Sequence, residues 1–283
     1  MKLLRRISRN LRKITHESTA FMRLMPDFFI TGSSRTGKTT LLNYLTQHPQ
    51  IFRSYMIETS YFDLNYNLGI RWYKSNFPTR TQLHYSKFMT NDEFHIGESV
   101  HIHSPFVPER IHEIISNPKI VILLRNPIDR AYSYYQKSVE IGKEQFSFEE
   151  ALQKEEERFQ QDQKTLDISP VYYENFRQWY LYKTTGIYIN FLKNWVKFFP
   201  KKNMLFLKTE DLFSNPSLTV NHVLSFLNLK HLKNLKIQNH SNKQNIASIK
   251  PATREELAEY FKPNNLELYQ YIGKNLGWEE DIS

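Results

Sequence analysis

Apolar positions along the chain fall into two kinds of run. Lys119 to Arg125 (KIVILLR) sets Ile120, Val121, Ile122, Leu123 and Leu124 side by side without polar alternation, as a strand covered on both faces requires. Asp27 to Thr31 (DFFIT) and Asn203 to Lys208 (NMLFLK) read the same way. Elsewhere apolar residues recur at helical spacing: Thr39 to Gln47, Pro108 to Ser116, Pro127 to Glu140, Phe148 to Gln161, Ile187 to Phe198, Ser217 to Leu227, Arg254 to Phe261 and Leu266 to Asn275. Strands separated by helices predict an α/β fold with a central parallel sheet flanked by helices. Ligands of such sheets sit at the carboxyl ends of the strands, so chemistry is to be sought just after Thr31 and at the end of KIVILLR. No internal repeat or low-complexity linker divides the chain. Residues 25–283 read as one domain and 1–24 as a basic N-terminal helix or tail.

Composition narrows this picture only partly. With 283 residues, 40% of them hydrophobic and 14% aromatic, the chain can bury a full core. It has no cysteine, which excludes disulfides and thiolate metal sites and fits a reducing compartment. The net charge of +9 calls for an anionic partner: nucleotide phosphates, a nucleic acid, an acidic glycan or a membrane surface. No stretch reaches the roughly 18 apolar residues of a membrane span, and no signal peptide is evident, so a cytoplasmic protein is expected. In residues 1–14, Leu3, Leu4, Ile7, Leu11 and Ile14 alternate at helical spacing with Arg5, Arg6, Arg9, Arg12 and Lys13. That is the pattern of an ordinary helix with a solvated basic face or a frayed tail, or else of a helix lying on a membrane surface.

Gly32-Ser33-Ser34-Arg35-Thr36-Gly37-Lys38-Thr39 follows the first strand and opens a helix. It satisfies G-x-x-x-x-G-K-[ST], whose glycines let consecutive N–H groups converge on a phosphate. This gives the fold a P-loop-like, three-layer reading. A Mg-ATP kinase or NTPase would also need an acid at the end of another buried strand. KIVILLR ends instead in Arg125, and only Glu210 and Asp211, after NMLFLK, remain as a displaced acidic pair.

Arg125-Asn126-Pro127-Ile128-Asp129-Arg130 begins a helix at the end of that strand: Asn126 suits the N-cap, Pro127 the first helical position and Asp129 the first turn. Asn126, Arg130 and Ser133 share one face, and an arginine beside a hydroxyl makes a second anion site. A nucleotide phosphorylated at two distant positions needs two such sites, whereas ATP does not.

Together these segments resemble the 5′-phosphosulfate loop and 3′-phosphate motif of sulfotransferases that use 3′-phosphoadenosine-5′-phosphosulfate (PAPS), especially the heparan-sulfate-type and related bacterial members. The similarity runs on through Ile96-Gly97-Glu98-Ser99 (G-E-x-[ST]), Gly186-Ile187-Tyr188 with Trp195 (G-x-Y…W), Lys208 to Asn215 (E-[DN]-L), and Arg254 to Trp278. Ile57-Glu58-Thr59-Ser60-Tyr61-Phe62-Asp63 resembles the segment E-x-x-[FY]-F-D that carries the family's catalytic glutamate. The resemblance implies that Arg35, Thr36, Gly37, Lys38, Thr39 and Thr40 cradle the 5′-phosphosulfate. It also implies that Arg125 and Ser133 grip the 3′-phosphate and that Glu58 is the base; Tyr188, seven residues from Trp195 on one helix face, packs in the core or, in family fashion, lines the adenosine pocket. Arg35, with Lys38, would neutralise the departing phosphate without a metal. Lys38 stands where the family usually has threonine. The implied acceptor is a hydroxyl or amine, in family fashion of a glycan and not of a nucleic acid. A non-catalytic basic module binding an acidic polymer is the remaining alternative.

Other residues are open to two readings. Glu98 either contacts acceptor or braces the sheet end. His95, His101 and His103 read as surface or acceptor-groove histidines rather than metal ligands. Arg71, Trp72, Tyr73 and Lys74 line a sugar groove or sit on an amphipathic helix. Lys243-Gln244-Asn245 is a loop over the nucleotide or a solvated loop.

Overall fold

The computed structural model describes residues 16–79, 81, 94–158, 160, 180–237 and 249–279. Strand β1 (Phe28–Gly32) leads into helix α1 (Lys38–Leu45), followed by a short β2 (Ile51–Arg53) and α2 (Gly69–Ser75). Next come β3 (His95–His101), α3 (Val107–Ile114), β4 (Lys119–Leu124), α4 (Pro127–Glu140) and α5 (Phe148–Gln153). The described chain closes with α6 (Tyr188–Phe198), β5 (Met204–Lys208), α7 (Thr209–Ser214), α8 (Pro216–Phe226) and α9 (Pro251–Ile272). The strands lie in the order β2-β3-β1-β4-β5, and every described pairing is parallel. From β1 the chain goes out to the edge strand β2, returns inward to β3 beside β1, then crosses over β1 to β4 and β5. The crevice at the carboxyl ends of β3, β1 and β4 is the topological switch point where such sheets bind ligands.

The apolar run of β4 serves both faces, as its lack of alternation requires. Ile120, Ile122 and Leu124 pack with Phe29, α3 and Trp195 of α6 on one side. Val121 and Leu123 pack with Phe28, Ile30, α1 and α8 on the other. The predicted parallel α/β sheet is therefore present, with helical layers on both faces.

Several elements differ from the sequence reading, among them the short helix α7, which it did not predict. Strand β3 was not predicted, because His95-Ile96-Gly97-Glu98-Ser99-Val100-His101 carries polar side chains through its middle. Glu98 and Ser99 are nonetheless buried, and a Cβ on Gly97 would lie 2.2 Å from the ring of Phe28, so glycine is what lets this strand pack there. Strand β2, three residues long, is too short to give a period. Helix α5 stops at Gln153 with a turn at Lys154 before helical residues resume at 155–158. The two predicted C-terminal helices are one, α9, running through Pro263. The missing N–H costs one helical bond, yet Phe261, Asn265, Leu268 and Tyr269 are buried on both sides of it, and that burial holds the halves in line.

Within the predicted N-terminal segment, Arg23 is buried and donates from Nη1 to the Phe77 carbonyl at 2.5 Å, so residues just before β1 are tied to the domain. The predicted helix over 1–14 and the Lys243-Gln244-Asn245 loop lie outside the described residues. No described helix is long and apolar enough to cross a membrane.

Candidate active site at the carboxyl ends of the sheet

The loop after β1 is shaped by three residues with positive φ. Gly32 passes so close to β4 that a Cβ would meet the Leu123 carbonyl oxygen at 2.5 Å and Thr36 Oγ1 at 2.6 Å. Arg35 adopts φ +72°, a conformation that L side chains hold only when surroundings impose it and that clusters at functional sites. Gly37, at φ +90°, opens α1. The hydroxyls beneath are engaged in bracing: Thr36 donates to the Ser33 carbonyl (2.8 Å), Ser33 to Thr185 O (2.8 Å) and Thr209 to Thr36 O (2.7 Å). Thr36 therefore faces the interior. Thr39 is exposed and Thr40 partly so in the first turn of α1, where helix N–H groups and dipole favour an anion.

Beside this loop stands the start of α4. Asn126 caps it, its side chain accepting from the Ile128 N–H at 3.0 Å. Arg35 Nε donates to Ser133 Oγ at 3.0 Å, and Arg125 Nη1 donates to the Arg35 carbonyl at 3.0 Å. Arg35 thus bridges the two segments, its side chain on Ser133 and its carbonyl on Arg125. Though Arg35 is exposed, partial desolvation between the packed segments, and then the neighbouring Arg125 charge, pull it below its ordinary pKa, while Glu140 acts in the opposite sense. Cations held together in this way are the electrostatic preparation for an anion. Arg130, on the predicted face with Ser133, instead turns inward and is completely buried, bonded to the Tyr182 carbonyl. Tyr188 is also enclosed, and its hydroxyl donates to the Arg125 carbonyl at 2.8 Å. Tyr188 thus takes its core reading, behind Arg125, where it fixes the arginine's backbone.

Glu58 follows β2 on a turn whose geometry comes from its neighbours. Thr59 and Tyr73 both donate their hydroxyls to the carboxylate of Glu98 on β3. Asn65 Nδ2 donates to Thr59 O at 2.8 Å, and Arg110 Nη1 to Phe62 O at 2.7 Å. Ser60, at φ +48°, makes the sharp bend. Glu98 is thus a brace for the Glu58 turn; it is fully buried, so the acceptor-contact reading fails. Tyr73 leaves the sugar-groove reading for the same reason: it is in the core, stacked on Tyr61 with centroids 4.3 Å apart.

The Glu58 carboxylate lies between two partners. Lys38 Nζ is 4.0 Å from Oε1, and His101 Nε2 is 3.5 Å from Oε2. Lys38 is buried and donates to the carbonyls of Gly32 (3.0 Å) and Ser33 (3.3 Å). Burial lowers its pKa, and Glu58 and Asp63 raise it in part. The lysine therefore links the phosphate loop to the carboxylate. His101 was read only as a surface or groove histidine; no spacing in the sequence signals its approach to Glu58, since the two are separated by β3's crossover. His95 pairs with Asp27 at 2.5 Å at the opposite end of β3. Among the described residues no three histidine or carboxylate side chains form a metal cluster. Glu210, wanted by the Mg-ATP reading, instead accepts from the Asn126 backbone N–H at 2.8 Å and so fixes the start of α4.

Residues 25–274 match the sulfotransferase domain family. The chain is 24% identical to the membrane-associated sulfotransferase kil1 of Dictyostelium discoideum, across 90% of this chain and 67% of that protein. It is 26% identical to heparan sulfate glucosamine 3-O-sulfotransferase 3B1 of Homo sapiens, across 90% of this chain and 65% of the relative. The chain thus spans about two thirds of the length of these curated relatives. Among solved structures, a sulfotransferase from Alicyclobacillus acidocaldarius superposes with a TM-score of 0.67 at 26% identity, covering 90% of this chain and 99% of that one. With residues 25–274 matching the sulfotransferase domain family, the chain belongs to the PAPS-dependent sulfotransferase family.

Proposed function

We propose that the protein transfers a sulfuryl group from PAPS to a hydroxyl or amine of a carbohydrate acceptor. The observation that carries this reading is the junction of Arg35, Ser133 and Arg125, which joins the loop after β1 to the start of α4. That junction gives two neighbouring anion sites, as a nucleotide with phosphates at its 3′ and 5′ ends needs. Arg35, Gly37, Lys38, Thr39, Thr40 and the backbone of Thr36 hold the 5′-phosphosulfate; Arg125 and Ser133 hold the 3′-phosphate, with Tyr188 positioning Arg125. Glu58 removes the acceptor proton as the acceptor oxygen or nitrogen attacks sulfur in line. The bond from sulfur to the bridging phosphate oxygen breaks, the electron pair leaves with 3′-phosphoadenosine-5′-phosphate, and Arg35 with Lys38 neutralises the charge that develops there. The scheme uses no metal.

The curated relatives named for heparan sulfate glucosamine favour a glycan acceptor. The relative named as membrane-associated keeps peripheral membrane contact, through the basic residues 1–14, as part of this reading. Calorimetric titration with 3′-phosphoadenosine-5′-phosphate, beside ATP with Mg²⁺, tests the donor site. Tight binding of the bisphosphate without Mg²⁺ is expected, weakened at least tenfold in Arg125→Ala because a charge-assisted hydrogen bond contributes about 1.5–3 kcal/mol. Preference for Mg-ATP would refute it and restore the kinase reading of Lys38.

A further inference from the structure

The Glu58 carboxylate meets one group that the scheme above leaves without a role. His101 is the last residue of β3, in register with Gly32 of β1, and its side chain is mostly enclosed, with 13% exposed. Its Nε2 faces Glu58 Oε2 at 3.5 Å, a separation of the kind that shortens to a hydrogen bond when a catalytic site closes on substrate. Its Nδ1 is buried and has no hydrogen-bond partner among the described residues. The tautomer follows from these two contacts. With the proton on Nε2, the ring donates to the carboxylate and only a bare lone pair is buried. With the proton on Nδ1, a donor is buried unpaired and a lone pair faces a carboxylate. The first arrangement is favoured because an orphaned buried donor and a repulsive contact are both avoided.

Burial and the Lys38 charge keep the ring neutral against the pull of the carboxylates beside it. Lys38 reaches the same carboxylate from α1, and Asp63 and Glu58 lie on the segment after β2. The His103 ring lies 5.3 Å away between ring centroids. Burial first and the Lys38 charge second push the His101 pKa down to about 3. An imidazole so placed is a poor proton acceptor at neutral pH, which favours Glu58 over it as the base.

We propose that His101 is a positioning residue for Glu58: its neutral Nε2–H holds the carboxylate against the end of β3 and stabilises the ionised form that takes the acceptor's proton. This rests on the sulfuryl-transfer reading of the site. The carboxylate is then shared between a histidine that fixes its direction and a lysine that ties it to the phosphate loop, so base and donor site are held in one geometry. Removing a hydrogen bond to the ionised form raises a carboxyl pKa, so loss of the histidine shifts the pH at which the base becomes competent.

The experiment is the pH profile of kcat/KM for sulfuryl transfer from PAPS by wild type, His101→Phe, His101→Gln and His101→Asn. It is accompanied by 3′-phosphoadenosine-5′-phosphate binding and melting temperature for each protein. His101→Phe, which fills the space without a donor, is expected to move the acid limb upward by about one pH unit, with bisphosphate affinity unchanged. His101→Gln, whose amide N–H falls near the Nε2 position, restores the wild-type limb; His101→Asn, whose amide falls short near Nδ1, does not. If His101→Phe fails to fold, the contrast between the Gln and Asn variants decides the matter. An acid limb that coincides with wild type in every folded variant, or a Gln variant no better than Asn, overturns the role of His101 while leaving the transfer reading intact. Absence of any transfer from PAPS by the wild type, with no bisphosphate binding, overturns both.

Discussion

Replacing Glu98 with glutamine tests how the turn that carries Glu58 is held. Glu98 is fully buried, with the hydroxyls of Thr59 and Tyr73 on its two oxygens. Burial pushes its pKa from the ordinary 4.5 to about 7; the hydrogen bonds from Thr59 and Tyr73 oppose that rise, and Asp63 adds to it. The folded chain therefore binds this proton more tightly than the unfolded chain. The stability it contributes is fully present below pH 4.5, falls as pH rises through the interval up to about 7, and is constant above. At about 1.4 kcal/mol per pH unit, the loss across the interval is on the order of 3 kcal/mol. Glutamine carries no charge at any pH, so the Glu98→Gln protein lacks this dependence. Urea unfolding of both proteins at pH 5 and pH 8 measures it. The wild type is expected to lose about 3 kcal/mol relative to the variant between the two values. Parallel stability profiles from pH 5 to pH 8 would show that the two hydroxyl donors fully offset the desolvation, and would refute the reasoning.

Two further substitutions probe the chemistry and the sheet. Glu58→Gln is expected to keep 3′-phosphoadenosine-5′-phosphate binding while lowering kcat about 10²- to 10⁴-fold, the usual contribution of a positioned base; wild-type turnover in that variant removes Glu58 from its role. Gly97→Ala drives a Cβ into the ring of fully buried Phe28 and is expected to destabilise the domain by about 1–3 kcal/mol; an unchanged urea midpoint would show that β3 and β1 separate without cost.

Much of the architecture is local information. Strands β1, β4 and β5 are continuous apolar runs, and α4 begins where Asn126 and Pro127 set its first turn. The phosphate loop, too, is a contiguous string whose glycines and strand-to-helix setting announce an anion site. Strand β3 shows the opposite case: its polar residues contradict a buried strand until Thr59 and Tyr73, distant in sequence, supply partners for Glu98. In α9 a proline that locally ends a helix is overridden by packing on both sides of it.

The sequence by itself determined the parallel α/β class, the anion loop after β1 and the second cationic segment after β4, because each is written in neighbouring residues that share one element or one turn. Only the tertiary structure decided which of those residues meet. It set Arg35 beside Ser133 and Arg125, turned Arg130 and Tyr188 inward, and gathered Lys38, Glu58 and His101 from a helix start, a loop and a strand end. Hydrophobic periodicity fixes which face of an element is buried, whereas the approach of one strand's end to another's loop depends on strand order and register, which no local pattern encodes.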